Sequence, residues 1–217
     1  MVEDFPLQQG SLDFLCGIYA AINAMYVRGE IDELDEASIP FRLAMNTMQA
    51  SQDWDLAASI CYGIDEDPYN ELLVKLSWRE WREPIEDPEA DELEALFRER
   101  ADEPGFCVIV SLIEPTDLGK KSGDRDVIHY TVVTGITGEA IHLSDSTGVP
   151  EITRKGQVLE LAAPSETEKA VRPGKAVRPG KAVRLGKVFV PNWPCKGRRN
   201  FDKKVGKKHE SNLFIEL

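Results

Sequence analysis

The chain has 217 residues, 42% hydrophobic and 29% charged, with a net charge of −12. That length and balance suit a globular chain with its own apolar core and exclude a fibrous repeat. The longest apolar run, Phe106 to Ile113, is far short of the ~20 residues a spanning helix needs.

The acidic start, Met1-Val2-Glu3-Asp4, lacks a secretory apolar segment. Four widely spaced cysteines (16, 61, 107 and 195) form neither a disulfide framework nor a Cys-x-x-Cys metal pair. Reduced thiols in a cytoplasmic setting are expected, with export by a signal-free route as the alternative. No membrane partner, metal or cofactor is expected.

Taken in chain order, the first hundred residues read as helical. Leu15, Ile18, Tyr19, Ile22, Met25 and Tyr26 recur at helical spacing, with Asp13 as the expected N-cap and Gly29 as the stop. Glu36 to Gln49 follows, with Pro40 as a kink or start. Asp53 to Tyr62, Tyr69 to Trp81 and Ala90 to Arg100 complete the helical set. The period then switches to strand at Phe106–Ile113, Val127–Ile136, Glu139–Ser144, Lys187–Pro191 and Leu213–Leu217. Pro115 to Arg125 reads as a polar loop. The pattern predicts an α+β fold with an antiparallel sheet. The expected layout is one domain over 1–217, with a helical half at 1–103 and a sheet half at 104–217.

Charge is split along the chain. Residues 1–168 hold 12 basic and 35 acidic side chains, a balance of −23, and residues 169–217 hold 14 and 3, a balance of +11. The basic tail reads as lying against the acidic body. Nucleic acid is not expected, because few aromatics interleave with the basic residues. Within the tail, Lys169-Ala-Val-Arg-Pro-Gly174 recurs at Lys175–Gly180 and, with Leu185 in place of proline, at Lys181–Gly186. Pro-Gly every six residues predicts a loop over 169–186 that leads into the next strand.

The chemistry begins at Cys16. A thiol at a helix start meets the positive end of the helix dipole, which favours thiolate. Gly17 leaves room for a substrate backbone. Gln8 or Gln9 upstream supplies an amide for an oxyanion, as does the Cys16 N–H. Of three histidines, His209 lies in the basic tail. His129 and His142 fall in neighbouring strands. A hairpin centred on Thr137 places His129 opposite Asp145, within carboxylate–imidazole reach, and sends His142 to the other face. The order nucleophile, then base, then carboxylate is the logic of an activated thiol.

Gln-x6-Cys16-Gly17 opening a helix, then His129-Tyr130-Thr131-Val132-Val133, then Ile141-His142-Leu143-Ser144-Asp145, resembles the papain-like cysteine peptidase superfamily. Within it, the likeness is closest to bacterial peptidases that process double-glycine leaders. It covers residues 7–30 and 127–148. The resemblance implies Cys16 as nucleophile, His129 as general base and acid, Asp145 as its orienter, and Gln9 or Gln8 as oxyanion donor. The family's usual Gln–Cys spacing is about six, whereas Gln9 and Gln8 stand seven and eight residues before Cys16. No phosphate-binding Gly-rich loop is present, so transport-coupled processing is not implied. The expected function is cysteine peptidase-type hydrolysis of a peptide or isopeptide bond in a peptide or protein substrate. The alternatives are a thiol acyltransferase or transpeptidase, and a non-catalytic binding module that uses the basic tail.

Overall fold

The computed structural model describes residues 6–8, 15–51, 54–55, 59, 64–77, 84–114, 127–155, 158–162 and 182–191. The expected helix at 53–62 lies largely outside them. The loop at 115–125, the strand at 213–217, Cys61, Cys195, Trp78, Trp81 and Trp193 lie outside them as well.

Three helices come first: α1 (Cys16–Val27), α2 (Leu34–Ala50) and α3 (Glu66–Ser77). A short strand β1 (Ile85–Glu86) and helix α4 (Ala90–Glu99) follow. The remaining strands are β2 (Val108–Glu114), β3 (Val127–Thr137), β4 (Ala140–Ser144), β5 (Glu151–Lys155), β6 (Val158–Leu161) and β7 (Ala182–Phe189). The α+β class is what the structure shows. Strand β1 belongs to the same sheet as the later strands, so a short piece of sheet precedes α4 in the sequence.

Helix α1 is buried nearly all round, with Ile18 and Ile22 fully enclosed, as an inner helix must be. Its N-cap is Leu15, with no side-chain cap, which corrects the expected Asp13 cap. The Leu15 carbonyl instead accepts from the N–H groups of Ile18 and Tyr19. At the other end Gly29 takes φ +66. Its N–H reaches the Tyr26 carbonyl, and the Glu30 N–H reaches Met25, the paired bonds of a Schellman stop. Pro40 lies inside α2 rather than at its start.

The seven strands form one antiparallel sheet in the order β1-β7-β2-β3-β4-β5-β6. Strand β6 also pairs with β7 through Leu159↔Val183 and Glu160↔Ala182, so six strands close into a ring. One apolar cluster fills that ring and reaches α4, with Val108, Val110, Leu112, Val133, Ile152 and Leu185. A second lies between helices and sheet, where Ile18, Ile22, Tyr69, Ile109, Tyr130 and Phe189 meet. The alternation of Val108 and Val110 with Ile109 feeds both clusters from one strand.

Three strand expectations are corrected. First, β5 and β6 were not expected; each is short and mixes charged residues with its apolar ones. Second, β7 starts at Ala182, so the third repeat copy is largely strand rather than loop. Leu185 restores the N–H that proline lacks in the other copies, and Val183 and Leu185 are buried in the ring. Third, the β3–β4 turn closes at Thr137↔Ala140. Gly138, at φ +58, permits the tighter two-residue connection. Among the described residues no helix is long and apolar enough to cross a membrane.

Candidate active site

Cys16 is the first residue of α1. It is 3% exposed, His129 1% and Asp145 2%, so all three stand out of bulk water. The Tyr130 backbone N–H points at Cys16 Sγ across 3.5 Å. Strand β3 thereby presses its main chain against the helix start and carries His129 next door.

His129 Nε2 and Asp145 Oδ1 lie 2.6 Å apart. The register differs from the expected one. Val132 pairs with Ser144, and Val133 with Leu143, before an irregularity at Thr134. Continued one step past β4, that count sets Asp145 across from Thr131. His129 is its diagonal neighbour, still within reach of a long side chain.

Asp145 is held on its other oxygen too. Oδ2 accepts from the Thr147 N–H at 2.8 Å and from the Thr147 hydroxyl. A more distant N–H, that of Val149, lies at 3.5 Å. Thr147 was not singled out from sequence. The signal was there in Asp145-Ser-Thr147, the pattern of an Asp that bonds the backbone two residues on.

The electrostatics follow from this packing. Burial alone would lower the His129 pKa. The Asp145 charge and hydrogen bond outweigh it, and Cys16 adds to them, holding the imidazole up at about 10. Burial alone would raise Asp145. The His129 charge and bond, with Thr147, hold it down at about 2. The buried pair is therefore imidazolium and carboxylate at neutral pH. His129 Nδ1 finds no partner of normal hydrogen-bond geometry among the described residues. Cys16 nonetheless lies close enough to raise the ring's pKa. The same holds for Thr131 Oγ1, which lacks a partner of normal geometry yet stabilises the Asp145 carboxylate.

Two further residues shape the helix start. Tyr69 on α3 donates its hydroxyl to the Gly17 carbonyl at 2.8 Å. Burial, and then the neighbouring Cys16, push the Tyr69 pKa well up, so this hydroxyl stays a donor. Tyr130 in turn donates to the Ile64 carbonyl at 3.1 Å, and the two tyrosine rings lie 4.1 Å apart.

His142 takes no part in the trio's hydrogen bonds. Its half-exposed ring meets Thr137, and Nδ1 lies 3.9 Å from Glu151. Gln9 lies outside the described residues, and Gln8 is exposed. Cys107 is buried just before β2, with its thiol against the Ala24 carbonyl at 3.8 Å. Among the described residues no cluster of His, Cys, Asp or Glu could hold a metal ion.

What the trio can do is thiol chemistry: a sulfur at a helix start, a charged imidazole beside it, and a carboxylate fixing that imidazole. No protein-family model and no curated protein sequence matches the chain.

Proposed function

We propose that the chain is a papain-like cysteine peptidase-type hydrolase, working through Cys16, His129 and Asp145. The observation that carries this reading is the buried 2.6 Å bond between His129 and Asp145, set beside a thiol on the first turn of an inner helix. The layout also supports it, with the nucleophile on a helix and the base and its orienter on a facing antiparallel sheet.

In the mechanism, Cys16 attacks the acyl carbon as thiolate, its proton held by His129. The carbonyl oxygen becomes an oxyanion, for which the Cys16 N–H and a Gln8 or Gln9 amide are the candidate donors. His129 then protonates the departing amine, leaving a thioester on Cys16. Water, deprotonated by His129, adds to the thioester carbon and expels the thiolate. Asp145 keeps the ring oriented throughout.

The test is alkylation. Iodoacetamide labelling of the native chain and of His129→Ala is followed by mass spectrometry between roughly pH 5 and 9. Cys16 is expected to label ahead of the other cysteines, in a way that depends on His129. Labelling of Cys16 that matches Cys107 and ignores the substitution would sink the reading. With Cys16 activated, a peptide library then defines the cleaved bond.

Burial of the trio favours a second reading, acyl transfer to an amine, because a closed site shields a thioester from water. Product masses obtained with and without added amine acceptors separate the two.

A further inference from the structure

Strand β3 has unequal neighbours around the site. Its pairing with β2 is continuous and sets Tyr130 across from Ser111. Its pairing with β4 ends at Val132↔Ser144. There the chain turns away, and the Gly148 N–H bonds back to the Asp145 carbonyl at 3.4 Å. Tyr130 lies two residues beyond that last pair, so β4 offers its main chain no acceptor. A buried N–H needs one. Tyr130 is fully buried, and its N–H reaches Cys16 Sγ at 3.5 Å. The start of α1 thus meets β3 where the β4 ladder has run out.

The acceptor is the sulfur itself, and its strength depends on its charge. A thiol sulfur accepts weakly. A thiolate makes a charge-assisted bond, roughly twice as strong as a neutral one. The N–H therefore favours thiolate over thiol. It neither titrates nor needs reordering, because the strand already fixes it. The titratable groups bearing on Sγ are His129, Tyr69 and Tyr130. Burial above all keeps both tyrosine hydroxyls neutral. The imidazolium of His129 answers the sulfur's charge from the side chain, and the Tyr130 N–H answers it from the main chain.

We infer that the Tyr130 main-chain N–H is a catalytic donor to Cys16 Sγ, stabilising the thiolate before attack and again when the thioester releases it. This rests on Cys16 being the nucleophile. In the release step water adds to the thioester carbon and its proton goes to His129. The carbon–sulfur bond breaks, and its electron pair returns to Sγ beneath the waiting N–H. A stabilised thiolate leaves faster and attacks more slowly.

The experiment replaces that N–H by an ester oxygen, using the 2-hydroxy acid analogue of tyrosine at position 130 of the full chain. A second chain carries the ester at Val132, which loosens the same strand two residues from the sulfur. Iodoacetamide alkylation of Cys16 is followed across pH in both. The ester at 130 is expected to raise the alkylation midpoint by about one pH unit or more. Above both midpoints its limiting rate should rise about threefold for each unit gained. The ester at 132 should leave the midpoint within a few tenths of native.

A measurement on the unaltered main chain decides the matter should the ester chains fail to fold. With 15N-tyrosine in the native protein, the Tyr130 amide proton is expected to move downfield at the Cys16 alkylation midpoint. In Cys16→Ala that movement should vanish. Equal midpoint shifts for the two esters, no shift for either, or a Tyr130 amide that ignores Cys16 overturns the donor role and leaves the contact a packing feature. Native Cys16 whose alkylation ignores His129→Ala overturns the nucleophile reading instead, a result seen before any ester chain is made.

Discussion

Tyr69 and Gly17 are fitted to each other. The Tyr69 hydroxyl bonds the Gly17 carbonyl at 2.8 Å, and a Cβ on Gly17 would stand 2.8 Å from the Tyr69 ring and 3.3 Å from that of Tyr130. Both rings are fully buried and already in contact, so neither has room to retreat. Alanine raises helix propensity by up to about 1 kcal/mol, but overpacking costs about 1–3 kcal/mol. Gly17→Ala is expected to destabilise on balance, read as a lower urea midpoint. A midpoint at or above native would show that the rings can yield.

The His129–Asp145 pair makes stability depend on pH at both ends. An unfolded imidazole titrates near 6.5 and an unfolded carboxylate near 3.9. His129 is raised to about 10, so its contribution is complete below about 6.5 and is lost as pH climbs toward 10. Asp145 is lowered to about 2, so its contribution is complete above about 3.9 and is lost as pH falls toward 2. The pair therefore stabilises most between about pH 4 and 6.5. In that window Asp145→Asn and His129→Gln are each expected to cost about 3–5 kcal/mol, since either leaves a buried partner unpaired. Denaturant unfolding across pH checks this. Single variants that keep the native pH profile would refute it.

Much of the site was legible because its residues are chemically rare. With three histidines in the chain, one of them in the basic tail, few candidates stood for the role of base in the proposed chemistry. The alternation around Tyr130 and Val132 placed His129 on a strand. The register was less legible. A hairpin centred on Thr137 and the observed one closed by Gly138 differ in every pairing, because turn geometry and the irregularity at Thr134 set the count. His129 and Asp145 meet regardless, since a diagonal neighbour remains within side-chain reach. Strands β5 and β6 were missed for a different reason. Their half-buried and exposed positions carry Glu151, Arg154, Lys155 and Glu160, and ring closure onto β7 accounts for so short and charged a pair being strand. Tyr69, which bonds the Gly17 carbonyl, carries no local signal, because its role depends on a contact 52 residues away.

Gly186 ends the third repeat copy, where the β2–β7 register shifts between Val110 and Leu112. A Cβ there would lie 2.5 Å from Ser111 Oγ and 2.8 Å from both Glu66 Oε1 and Ile113 Cδ1. Ser111 is fully buried, donates to Glu66 and accepts the Lys187 N–H at 2.6 Å. Gly186→Ala must push against that bonded serine, at an expected cost of about 1–3 kcal/mol. Adding Ser111→Ala vacates the space, so the two substitutions should couple by at least about 0.5 kcal/mol in a double-mutant cycle. Strict additivity would mean that the clash is relieved elsewhere.

Thr147 holds the far oxygen of Asp145 with both its N–H and its hydroxyl. Substitution separates the two, because Thr147→Val keeps the N–H and the branched shape and removes only the hydroxyl. A hydrogen bond to a charged acceptor contributes about 1.5–3 kcal/mol, and this one favours the ionised carboxylate. Its loss raises the Asp145 pKa, so the acid limb of the stability profile should move to higher pH. Near neutral pH the variant should lose stability while the His129 bond persists. Thr147→Ser, which restores the hydroxyl, should return the acid limb toward its native position. Acid unfolding followed by tryptophan fluorescence reads all three chains. A valine variant with the native acid limb would show that the main-chain N–H alone holds the carboxylate.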